Sequence, residues 1–108
     1  MNKFVIIKNM NNEFVLRYAN IDFHKMMVHA GDECFGGGMF DFENVNGKET
    51  LTLYGRSEDF GKPQFDKIKE KIHIDEDLEG VCIRYLTFTP DWKNNYEDLT
   101  NRFVFDWF

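Results

Sequence analysis

The sequence predicts an α+β domain: a mainly antiparallel sheet of about six strands with one or two short helices packed on it. Three observations carry this. Phe4–Ile7 is a continuous apolar run, an Asn46-Gly47 pair separates two alternating segments, and Phe65, Ile68 and Ile72 recur at helical spacing. No linker, repeat or compositional break divides the 108 residues, so residues 1–108 read as a single domain.

The first strand spans Lys3–Lys8. It is apolar throughout its middle, as a strand covered on both faces would be. Asn9-Met10-Asn11-Asn12 is a turn signal, and Glu13–Ala19 alternates with Phe14, Leu16 and Tyr18 on one face, which makes a hairpin. Asp22–Ala30 fits a short helix capped by Asp22, with Phe23, Met26, Met27 and Ala30 as its buried stripe. Met39–Val45 puts Phe40 and Phe42 on one face. Asn46-Gly47 suits a type I′ turn because both of its central residues need positive φ, and Glu49–Tyr54 returns with Leu51 and Leu53 inward.

Pro63 suits the first position of a helix over Pro63–Ile72. Val81–Thr89 reads as a long strand ended by Pro90, and Arg102–Phe108 as a last strand with Phe103, Phe105 and Trp107 aligned. Between them, Trp92, Tyr96 and Leu99 fit a short helix or a loop packed on the sheet.

Twelve Phe, four Tyr and two Trp supply a core without help from disulfides or metal. Nineteen acidic residues against thirteen basic ones leave a net charge of −6, and the basic residues are scattered. Both facts disfavour direct binding of nucleic acid through a basic face. The run Asp75-Glu76-Asp77 with Glu79 reads as a solvated loop, with nucleic-acid mimicry as the sharper alternative. The N-terminal apolar run is too short for a signal-peptide core or a membrane span. With two cysteines, this points to a reducing, cytoplasmic setting, although a Cys34–Cys82 disulfide is left open.

The densest chemistry lies in His29-Ala-Gly-Asp-Glu-Cys-Phe-Gly-Gly-Gly38, with His24 upstream. A metal site would draw on His24, His29, Asp32, Glu33 and Cys34. His24 and His29 are five residues apart, which separates them by about 140° on a helix and puts them on opposite faces of a strand. Neither conformation converges them on an ion, so no metal or cofactor is expected. A thiol nucleophile at Cys34, with His24 or His29 as base, would have Asp32 and Glu33 raising its pKa and no helix dipole lowering it. Gly36, Gly37 and Gly38 lead into a strand, unlike a phosphate cradle, which leads into a helix. They mark a bulge at the sheet entry, or a surface approached closely by a ligand or partner backbone. Arg56 and Ser57 follow the second hairpin strand, where side chains project into clefts. Arg56 there either clamps an anion or pairs with Glu58 or Asp59.

These features suggest a small acidic cytoplasmic module, monomer or homodimer, that contacts and regulates or inhibits another protein. Asp32, Gly36, Gly37, Gly38, Arg56, Ser57 and Trp92 are its candidate binding residues. The alternative is a small-ligand binder or hydrolase built on the His24–Gly38 loop, with His24, His29 and Cys34 catalytic. An exposed apolar or acidic patch favours the first; convergence of two of those three side chains favours the second.

Overall fold

The computed structural model describes residues 1–65, 72–73, 76–88 and 94–98. Strand β1 (Asn2–Lys8) pairs antiparallel with β2 (Phe14–Asn20), Lys8 opposite Phe14. The turn between them is held by the Asn9 side-chain oxygen, which accepts the N–H groups of Asn11 and Glu13, each at 3.0 Å. The other edge of β1 pairs with β3 (Glu33–Val45), so this strand is interior and Phe4, Val5, Ile6 and Ile7 are all 0% exposed. Phe4 and Ile6 pack in one apolar cluster and Val5 and Ile7 in another, so both faces of the strand are covered and its sequence runs apolar without alternation.

Strand β3 returns into β4 (Lys48–Tyr54) with Val45 opposite Lys48, through Asn46 at φ 53° and Gly47 at φ 82°. Both residues have the positive φ that a type I′ turn requires. Strand β6 (Cys82–Phe88) lies beside β4 but parallel to it, giving a five-stranded mixed sheet in the order β2-β1-β3-β4-β6. Two short strands extend the sheet to seven: β5 (Ile72–His73), parallel to β2, and β7 (Asn94–Asp98), antiparallel to β6. The connection over 55–81 is long enough to permit the parallel β4–β6 junction, since parallel neighbours need a crossover of a dozen or more residues.

Each face carries its own apolar cluster. Phe4, Ile6, Leu16, Phe40, Leu51, Leu53, Ile83 and Tyr85 pack on one side, covered by Phe65 and Leu78 from the connection. Val5, Ile7 and Met27 form the smaller cluster opposite, with Val15, Ala19, Val28 and Phe60 around it. Fully burying each large aliphatic or aromatic side chain contributes about 1.5–3 kcal/mol.

Several expectations are corrected. The fold is mainly sheet, and its parallel junctions make the sheet mixed. The expected helix over Asp22–Ala30 is a 3₁₀ turn, His24–Met27, between residues of extended backbone at Phe23 and Val28. Its buried positions are His24 and Met27, three apart, because a 3₁₀ turn stacks i over i+3; Phe23 and Met26 point outward. Strand β3 runs through all three glycines and does not begin at Met39. Ile72, read as the end of a helix, lies in β5, and Tyr96 lies in β7. Residues 66–71 of the expected helix, Trp92, and the expected strand Arg102–Phe108 lie outside the described residues. Among the described residues no helix is long and apolar enough to cross a membrane.

Candidate functional site

The glycine segment is the hub of the structure. Val5 pairs with Gly37 but Ile7 pairs with Cys34, so Ile6 faces two residues of β3, a β-bulge, and Gly36 takes φ 96° within it. A Cβ at Gly37 would strike the Phe4 carbonyl, and one at Gly38 the Tyr54 carbonyl. What approaches the glycines closely is therefore this chain's own backbone, and all three are buried.

The His24 ring lies across Gly37, and its Nε2–H donates to the Gly38 carbonyl at 2.7 Å. Ser57 is buried as well. Its N–H donates to the Gly37 carbonyl at 3.0 Å, and its hydroxyl oxygen accepts the Phe60 N–H at 3.1 Å. His24, Ser57 and the glycines are thus brought together, as a joint between the sheet and two loops.

Asp32 is tied elsewhere. Its Oδ2 accepts from Arg17 Nη1 at 2.6 Å and from the His29 N–H at 2.8 Å, and its side chain is only 4% exposed. Burial pushes its pKa up, but the Arg17 hydrogen bond, the His29 N–H and the neighbouring positive charge outweigh this and hold it below the ordinary carboxylate range. Arg17 also donates to the Met27 carbonyl at 2.8 Å, clamping the 3₁₀ turn onto β2. Sequence reasoning missed Arg17. The available signal was its position between Val15 and Ala19, on a face that is otherwise apolar.

His29 is exposed, its Nδ1 4.0 Å from Asp32 Oδ2. Cys34 is half-buried, and its thiol contacts the Gly36 carbonyl at 3.6 Å. Burial pushes the thiol pKa up, the Asp32 charge adds to this, and the Gly36 contact only partly offsets it. Cys34 and Cys82 are both free thiols, in strands β3 and β6, so the disulfide left open above is not formed. Among the described residues no group of three or more His, Cys, Asp or Glu is arranged to hold a metal ion.

A second network crosses β3, β4 and β6. Arg84 donates through Nε to the Thr52 hydroxyl at 2.9 Å and through Nη2 to Glu43 Oε2 at 3.0 Å; the Thr52 hydroxyl donates to the same oxygen at 2.7 Å. The Thr52 and Arg84 hydrogen bonds lower the Glu43 pKa.

Arg56 lies at a surface cleft of about 260 Å³, lined by Gly55, Arg56, Lys62, Tyr85 and Leu86. Among the described residues, ion pairs join Arg17 to Asp32 and Arg84 to Glu43, and the expected pairing of Arg56 with Glu58 or Asp59 is not among them. Trp92 lies outside the described residues.

No protein-family model, curated protein or solved structure matches this chain.

Proposed function

We propose that this chain is a small acidic binding module that acts by contacting another protein, with the 3₁₀ turn His24–Met27 and the preceding Phe23 as its contact element. One observation carries the reading: Phe23 and Met26 are 56% and 54% exposed on a turn whose opposite side is fixed. His24 is bonded to the Gly38 carbonyl, Met27 is buried, and the Met27 carbonyl accepts from Arg17. A turn already fixed by its buried side loses little backbone conformational entropy on docking, which favours its use as an interface anchor. Lys25 lies over the Phe23 ring, its Nζ 5.4 Å from the centroid, so the ring face is shared with a cation and the ring edge is left for a partner's apolar pocket.

The test is affinity capture from a lysate of the source cells with the wild-type chain and a Phe23→Ser/Met26→Ser variant, folding being checked by circular dichroism. The reading expects one saturable partner that the double variant loses and an exposed-site control, Met10→Ser, retains. Equal capture by the double variant, or no saturable partner for the wild type, overturns it.

A further inference from the structure

We infer that the cleft at the end of β4 is a binding site for a small organic oxyanion, a carboxylate or phosphate monoester with an apolar body. The inference is independent of the protein-contact reading and concerns a different part of the surface.

The cleft is assembled by backbone bonds that fix where its side chains start. Gly55 leaves β4 at φ 73°, and its carbonyl accepts the Tyr85 hydroxyl proton at 3.0 Å. The next residue is Arg56, and the one after it, Ser57, is pinned by its N–H to the Gly37 carbonyl. The loop closes on itself where the Gly61 N–H donates to the Ser57 carbonyl at 2.9 Å. That closure delivers Lys62, and the Gln64 N–H then donates to the Phe35 carbonyl at 2.9 Å, fastening the following residues to the bulge. Arg56 and Lys62 are therefore carried at the two ends of one hydrogen-bonded loop, and both line the cleft.

The lining specifies the ligand's chemistry. Arg56 and Lys62 are donor-only cations, and among the described residues the cleft lining holds no carboxylate. A guanidinium offers paired N–H groups to two oxygens of one head group, with an ammonium as a second point charge. Leu86 and the buried Tyr85 supply an apolar wall and floor, which an inorganic ion would leave unused. A volume of about 260 Å³ suits a molecule of one ring or a short chain. The chain as a whole carries −6, so two cations facing one cleft run against its general charge.

The test is a titration of the ¹⁵N-labelled full chain followed by amide chemical shifts. The probes are phenyl phosphate, benzoate, inorganic phosphate and benzyl alcohol. Saturable shifts centred on Gly55, Arg56, Lys62 and Leu86 are expected with phenyl phosphate or benzoate, the tighter of the two identifying the head group. Binding of inorganic phosphate and benzyl alcohol should be at least about tenfold weaker, since each lacks half of the recognised chemistry. Arg56→Gln and Lys62→Gln should each weaken binding by about tenfold, while Lys48→Gln, far along β4, leaves it unchanged. The inference is overturned if neither organic anion gives a saturable shift, if inorganic phosphate binds as well, or if the Arg56 and Lys62 variants bind like the wild type.

Discussion

Arg17 and Asp32 meet at 2.6 Å, joining the middle of β2 to the loop that leads into β3. The acidic partner is almost wholly shielded from water, and Arg17 is partly so. The pair makes the segment between the second and third strands a clamp across one sheet face.

Stability should therefore depend on pH through Asp32. Its folded pKa is depressed, so its contribution is fully present above the unfolded value of about 3.9 and is lost as pH falls through the folded value. Urea unfolding between about pH 2 and 6 should show wild-type stability falling at the acid end, with a shallower fall for Asp32→Asn. At neutral pH Asp32→Asn should cost about 1–3 kcal/mol. Parallel curves for the two proteins would show that the clamp contributes no pH dependence.

Replacing His24 with Leu keeps an apolar body in the buried position but removes the donor to the Gly38 carbonyl. The expected cost is about 1–3 kcal/mol, read from the urea midpoint. Because the same ring anchors the 3₁₀ turn, amide exchange at Lys25 and Met26 should quicken in the variant.

Gly38→Ala should destabilise by about 1–3 kcal/mol, because the added methyl group meets both the Tyr54 carbonyl and the Phe4 ring. Thermal unfolding of the variant measures this. An unchanged midpoint would mean that β3 and β4 separate more easily than their pairing implies.

Cys34 should be a sluggish thiol. In a Cys82→Ser background, alkylation by iodoacetamide at about pH 7.5 should be slower in the folded protein than in urea, because burial and the Asp32 charge both disfavour the thiolate. Fast labelling of the folded protein below neutral pH would instead support nucleophilic chemistry at this position.

The parts of the fold legible in the sequence are those decided locally. Asn46-Gly47 fixes its hairpin through its own backbone preferences, and the unbroken Phe4–Ile7 run signals a strand covered on both faces. The bulge was legible only as a choice, because its form depends on the Phe4 and Tyr54 carbonyls, which arrive from other strands. The parallel seating of β6 against β4 was not legible, since no local signal records where a long connection returns. The candidate chemistry fared similarly. His24 looked like a ligand in the sequence, but its partner is a main-chain oxygen that sequence cannot single out, and Asp32 is matched by an arginine from another strand. Lys62 was invisible as a companion of Arg56 because the loop closing through Ser57 and Gly61 brings them to one cleft.

The extra residue in β3 decides where the connection is hung. Deleting Gly36 would leave Cys34 opposite Ile7 and Gly37 opposite Val5, so the inward and outward sides of the strand would survive the loss. What would go is the outward kink on which the Lys62–Gln64 stretch is hung, and with it the guide that steers the chain toward its sixth strand. Shortened in this way, the polypeptide should keep its first four strands zipped while the remainder drifts.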